Sequence, residues 1–208
     1  MYMKAINKIL LSFIAIVFFH TNLWSQQGAW KLNPEYSVAI PVGGLKNLTD
    51  KTSLRGWNVS AMYGITDQAS VGLSTGFQDF YQKYPRAIFH EPGSDLSAVI
   101  TNSIQVIPVM LKAKYQFSQQ GFIQPYASVA AGGNFIQYQK YYGQFVDSRS
   151  KFGFAAQPEL GINIPVGEFK RTGINVAAAY NFMPFKYNDA DGLNHISVKA
   201  GINIPLQR

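Results

Sequence analysis

The sequence predicts an all-β chain: an eight-stranded antiparallel up-and-down transmembrane β-barrel, preceded by a cleavable signal peptide. Three observations carry that prediction. Segment after segment alternates apolar and polar residues with period two, the mark of an extended strand with one apolar face. The connections between segments alternate in length, short then long. The polar face of each segment is Gly, Ser, Ala, Asn, Gln and a few charges, which make a poor water-excluding core. In a soluble barrel the apolar face would leave a continuous belt in water, far above a normal patch. A bilayer removes that problem.

The leader comes first. Lys4 and Lys8 precede the apolar stretch Ile9–Phe19, broken only by Ser12. It is too short for a spanning helix and reads as a secretory signal. A cut after Ser25 divides the chain into a signal peptide, 1–25, and a barrel domain, 26–208. The alternative is an uncleaved anchor helix. Later segments lack the run of roughly eighteen apolar residues that a spanning helix needs, but barrel strands give weak hydropathy signals. With no cysteine, the chain holds no disulfide and no lipid-modified cysteine. Its 12 Tyr and 15 Phe suit a membrane barrel. The formal charge of +7 is spread without a Lys/Arg run, so nucleic acid is not an expected partner.

The strands follow in order. The first, Glu35–Val42, aligns Tyr36, Val38, Ile40 and Val42. The second, Leu54–Ile65, sets Trp57, Val59, Ala61, Tyr63 and Ile65 against Gly56, Asn58, Ser60, Met62 and Gly64. The third, Ala69–Tyr81, aligns Val71, Leu73, Thr75 and Phe77. The fourth, Thr101–Phe117, aligns Val109, Leu111, Ala113, Tyr115 and Phe117, and slips phase around Ile107-Pro108. A bulge or an edge irregularity is expected there. The fifth, Phe122–Gln139, sets Val129, Ala131, Gly133 and Phe135 against Gln124, Tyr126, Ser128 and Asn134. The sixth, Phe152–Pro165, aligns Phe154, Ala156, Leu160, Ile162 and Ile164. The seventh, Thr172–Phe185, aligns Ile174, Val176, Ala178, Tyr180 and Phe182. The last, Asn194–Leu206, alternates strictly, with Ile196, Val198, Ala200, Ile202, Ile204 and Leu206 on one face.

The connections at 66–68, 118–121 and 166–171 are short, whereas those at 43–53, 82–100, 140–151 and 186–193 are longer and more polar. A meander puts alternate connections at one end, so one rim carries tight turns and the other four long loops, the asymmetry of outer-membrane barrels. Aromatic residues near strand ends suggest two interfacial girdles: Tyr63, Tyr115 and Phe117 at the short-turn rim, Trp57, Phe77, Phe135, Phe154 and Phe182 toward the long loops. The pentapeptide Gly161-Ile-Asn-Ile-Pro165 recurs as Gly201-Ile-Asn-Ile-Pro205. It reads as shared strand-end composition rather than a duplicated hairpin.

The segments Tyr36-Ser-Val-Ala-Ile-Pro-Val-Gly43, Gln124-Pro-Tyr126 and Gln157-Pro-Glu-Leu-Gly161, with the C-terminal strand, resemble the eight-stranded outer-membrane barrel family of the OmpA transmembrane-domain and OmpX type. More narrowly they resemble barrel-only proteins of Bacteroidetes-like bacteria. The resemblance covers essentially the whole of the mature chain. It implies a bacterial outer-membrane location, passage through periplasmic chaperones and the barrel-assembly machinery, lipopolysaccharide and outer-membrane lipid as neighbours, and a monomer. One departure is the end, Ile204-Pro-Leu-Gln-Arg208, where the family commonly closes on an aromatic residue.

Strand parity turns five charges into the lumen: Glu35, Lys112, Lys114, Glu159 and Lys199. Unpaired charges there are costly, so a paired network is expected, with Glu159 meeting Lys199, Lys112 or Lys114, and Glu35 nearer the short-turn rim. Eight strands leave room only for side chains, which favours a plug over a gate. In the long loops, Lys46, Lys83, Arg86, Lys140, Arg149 and Lys151, beside Lys51 and Lys186, stand where lipopolysaccharide phosphates lie, but acidic residues are interspersed and ordinary solvated charge accounts for them equally.

Catalysis is not expected. His90 lies beside Glu91 in a long loop, and His195, Ser197, Asp189 and Asp191 supply the residue types of a hydrolase without a nucleophile motif. Asn188-Asp-Ala-Asp-Gly192 lacks the downstream acid of a calcium loop. No metal and no cofactor are expected. The expected role is a non-enzymatic one, structural or in surface binding and adhesion; a small pore or a lipid-modifying enzyme is the alternative.

Overall fold

A computed structural model describes residues 28–85, 87–91, 94–98, 100–142, 145–166, 172–187 and 190–206. The expected signal peptide and its cleavage point lie outside these residues. Eight antiparallel strands close into a barrel: β1 (Trp30–Pro41), β2 (Ser53–Gly64), β3 (Ala69–Lys83), β4 (Ile100–Gln116), β5 (Gln124–Tyr142), β6 (Phe145–Val166), β7 (Thr172–Asn181) and β8 (His195–Pro205). Each strand pairs with its neighbours in sequence, and β1 closes on β8, for example Val38 with Val198.

The outward face is apolar through the middle of the barrel. Leu111 is 72% exposed, and Leu73, Val109, Val129, Phe154, Leu160, Ile174 and Val198 stand out beside it. The buried face in contrast holds Asn, Ser, Gln, Glu and Lys. This inverts a soluble protein and fits a wall that faces lipid. Trp30–Tyr63 and Tyr115–Phe117 pack near the short turns, and Phe135–Phe152 toward the loops.

Mid-strand prolines explain the ladder's irregularities. Pro108 faces Asn134 on β5, but on the β3 side the pairing lapses at Gly76-Phe77 and resumes in the same register at Gln78–Val106. The expected irregularity is therefore a missing rung, not a bulge, because proline lacks the N–H that the β3 side would use. Pro34 faces Val59 on β2 and leaves a gap toward β8. The strand therefore begins at Trp30, five residues before the expected Glu35. The register shift in the sheet falls elsewhere, between Ser37 and Ala39 opposite β2.

The phase slip on β4 has a different cause. Its even-numbered residues stay inward throughout, but at the loop end they are Ile104, Val106 and Met110. With Phe80, Ile136, Met183, Leu193 and Leu45 they form an apolar core inside the barrel mouth. The expectation of an inward face of small and polar residues is thus corrected toward the mouth, where this apolar cluster lies among buried Gln78, Gln82, Asn102 and Asn134. Outward residues reverse in step. A row of outward positions, Tyr36–Trp57–Phe77 on one side and Ile107–Phe135–Phe152 on the other, is linked by direct pairing within each triplet. Beyond it polar outward positions such as Gln105, Gln137, Ser148 and Ser150 appear beside Tyr81 and Val146. From Ile107 to the short turn, ten residues of tilted β4 climb about 25 Å, the height of an apolar belt.

The long connections carry structure of their own. The first holds a 3-10 helix, Gly43–Asn47, which drives Leu45 into the core. The second holds the hairpin Ala87–Glu91 with Ser94–Ala98, and the fourth a minimal one, Lys186–Tyr187 with Ala190–Asp191. The third is hardly a loop: β5 and β6 stay paired from Gln124–Asn163 to Tyr142–Phe145.

Candidate functional site in the barrel lumen

Glu159 is the centre of the lumen's polar half. Odd parity on β6 turns it inward, and it is 3% exposed. Its Oε1 accepts from Lys112 Nζ at 2.8 Å, Ser128 Oγ at 3.1 Å and Tyr126 Oη at 3.3 Å, and its Oε2 from Lys199 Nζ at 2.8 Å. One carboxylate therefore joins β4, β5 and β8. Lys199 also donates to Gln157 Oε1 at 2.7 Å; Gln157 in turn donates to Asn181, which donates to Ser197 Oγ at 2.9 Å.

Lys114 lies above the Tyr126 ring, 3.8 Å from its centroid. Glu35 stands apart, nearer the short-turn rim, and accepts from Asn175 Nδ2. Two glycines permit close approaches here. Gly161 pairs with Tyr126, and a Cβ there would sit 2.6 Å from the ring; Gly201 pairs with Glu35, and a Cβ would sit 2.2 Å from the Pro34 carbonyl oxygen of the neighbouring backbone. Both head a copy of the Gly-Ile-Asn-Ile-Pro repeat, so the repeat marks two places of close contact with a neighbouring strand, one through a side chain and one through the backbone.

Above the network a cavity of about 20 Å³, lined by Ser37, Asn58, Pro108, Gln157, Ser197 and Lys199 among others, has room for about one water. The apolar core lies beyond it. Among the described residues, side chains occupy the lumen, with a charged network toward the short turns and an apolar cluster toward the loops.

Lys112, Glu159 and Lys199 are brought into one cluster, with Lys114 reaching it through Tyr126. Several participants were not picked out from sequence: Tyr126, Ser128, Gln157 and Asn175, and Lys31, whose inward parity appears only once β1 begins at Trp30. The polarity and parity of the first four were visible; which of them touched Glu159 was not.

His195 and Ser197 share the inward face but take different partners. His195 Nδ1 lies 3.0 Å from the Leu193 carbonyl, and its ring packs edge-on against Phe80. Asp189 and the side chains of His90, Glu91 and Asp191 lie outside the described residues. Among the loop cations, Lys46, Lys51, Lys83, Arg149 and Lys151 are exposed. Lys151 Nζ sits 5.4 Å from the Phe185 ring centroid. Lys140 pairs with Asp147 through the backbone; Arg86 and the side chains of Lys140 and Lys186 lie outside the described residues.

A family model described as outer membrane protein beta-barrel domain matches residues 11–203. No curated protein matches the chain. Among solved structures, the crystal structure of Neisserial surface protein A is similar, with a TM-score of 0.59 and 15% identity over 86% of this chain and 99% of that one. The outer membrane protein OprG from Pseudomonas aeruginosa is similar with a TM-score of 0.51 and 12% identity, over 88% of this chain and 98% of that one. At such identities the likeness is one of fold.

Proposed function

The chain belongs to the outer membrane protein β-barrel family, and on that premise we propose that it is a non-enzymatic surface protein that binds extended polypeptide segments along an exposed sheet edge. One observation carries this reading. Beyond the row of aromatic residues, β3 to β6 continue outward as a four-stranded sheet, and its two edges are treated differently. The β3 edge is covered: Ser53 Oγ donates to the Asp79 carbonyl at 2.5 Å, Asp50 N to Gln82 at 2.9 Å, and Tyr84 Oη to the Leu48 carbonyl at 3.2 Å. On β6, Phe145–Ala155 pairs only with β5 among the described residues, since pairing with β7 begins at Ala156–Phe182. An uncovered edge is a template for strand addition. Exposed Arg149 and Lys151 favour acidic segments.

The same reading places the long loops outside the cell after export by a cleaved leader, with periplasmic chaperones and the barrel-assembly machinery acting on the way. It takes the exposed lysines and arginines as contacts for lipopolysaccharide phosphates. The filled lumen supports a plug rather than a pore.

The test is a symmetric truncation. Joining Gln137 to Ser150, which are paired, through an Asn-Gly turn removes the protruding hairpin but keeps the membrane strands. The full chain in detergent should bind a fluorescent Glu-Val-Thr-Val-Glu-Val peptide saturably. The truncated chain should keep heat-modifiable migration and lose binding. Absence of binding by the full chain, or its survival in the truncation, sinks the proposal.

A further inference from the structure

The open edge of β6 is complementary to itself, and we infer that its partner is β6 of a second copy of this chain held in a facing membrane. The inference rests on the edge-binding reading and adds its occupant. Two identical edge strands pair antiparallel about a two-fold axis perpendicular to the sheet. That axis keeps each side chain on its own face, and successive side chains alternate faces. The axis therefore passes beside a residue, not between two.

Charge selects which residue. With the axis at Ser148, Asp147 of each copy stands opposite Arg149 of the other, so two oppositely charged pairs form on one face. Val146 then meets Ser150 and the two Ser148 side chains meet each other on the other face. Moving the axis to Asp147 or Arg149 sets like charges directly opposite, and moving it to Ser150 opposes Arg149 to Lys151.

The same axis decides where the second copy stands. The edge belongs to a barrel wall, so the sheet runs along the barrel axis and its perpendicular lies in the membrane plane. A two-fold about that perpendicular turns the second barrel upside down. Two barrels in one membrane share an orientation; only a barrel in an opposed membrane is inverted. The contact thus joins two surfaces, which is homotypic adhesion.

The chain has no cysteine, so a single introduced one reports the register. Full-length Ser148→Cys protein, bearing two different tags, is placed in two separate populations of phosphatidylcholine vesicles, which are mixed under mild oxidation. The expected product is a disulfide dimer carrying both tags, because directly opposed Cα atoms lie within disulfide range. Ser150→Cys, facing Val146, should give none. Absence of the Ser148→Cys dimer, or an equal yield from Ser150→Cys, overturns the register.

A charge exchange provides the second readout. Vesicles carrying Asp147→Arg alone, or Arg149→Asp alone, should cluster about tenfold more weakly than wild type, and a mixture of the two should recover. Wild-type vesicles that stay dispersed overturn the homotypic contact. If they do so while the acidic peptide still binds, the open edge keeps its binding role and only the second copy is wrong; if the peptide also fails, both readings fall.

Discussion

The barrel's two halves are built by opposite rules. Toward the short turns, the inside is charged and the outside apolar: Glu159 lies between Lys112 and Lys199 while Leu111 and Leu160 face out. Toward the loops, Phe80, Ile104 and Leu45 fill the inside and Ser148, Ser150 and Gln137 lie on the outer wall. Most strands run through both halves without changing parity; β2 changes it at Leu54-Arg55, where two successive residues face out. What changes is the medium outside the wall. In lipid the apolar side chains turn outward and the lumen must satisfy its own polar groups; in water the same sheet behaves as a soluble barrel. The aromatic row from Tyr36 to Phe152 marks the change.

The largest expected effect comes from emptying the charged half. Glu159→Ala leaves Lys112 and Lys199, each under a tenth exposed, without their carboxylate. The expected cost is about 3 kcal/mol, read as a lower urea midpoint for loss of the heat-modifiable form in lipid. Adding Lys112→Met and Lys199→Met should recover much of it, since apolar replacement of a buried ion network is often tolerated. Wild type should carry little steady current in planar bilayers, with the mutant raising it if the network is the barrier. An unchanged midpoint would remove Glu159 from its central role.

A second test moves one substitution across the boundary. Leu111→Lys, within the belt, should cost about 2 kcal/mol, whereas Gln105→Lys, beyond the aromatic row on the same strand, should cost close to nothing. Equal costs would mean that the row is not the membrane edge. The same boundary predicts sidedness: a cysteine at Ser148 should react with an impermeant reagent on intact cells, and one at Gln119 should not.

The smallest effect sharpens the lumen's packing. Gly161→Ala puts a methyl 2.6 Å from the Tyr126 ring, so Tyr126 must shift from Lys114 and Glu159. About 1 kcal/mol is expected, by the same urea assay. A second mutation, Tyr126→Phe, should then cost less in the Gly161→Ala background than in wild type. Strict additivity would show that the glycine does not serve the tyrosine.

Strand order, parity and the lumen charges were legible because period two is a local property of the chain. Val198 and Lys199 declare their faces from their neighbours alone. Strand ends were less legible. Proline at Pro34 or Pro108 reads as a break, yet each sits in a strand whose other side supplies the pairing. The protruding β5–β6 hairpin read as a loop because outside the membrane its wall no longer alternates apolar outward.

By itself the sequence determined an all-β barrel, its eight strands and the contrast between tight turns and long connections. All of these follow from periodicity and turn composition, which reside in contiguous residues. Only the tertiary structure decided that Glu159 binds Lys112 and Lys199 at once, that Leu45 closes the mouth, and that, among the described residues, β6 leaves its pairing with β7 beyond Ala156. Those contacts join strands far apart in the chain, and their geometry is set by closure and stagger of the barrel, which no local pattern encodes.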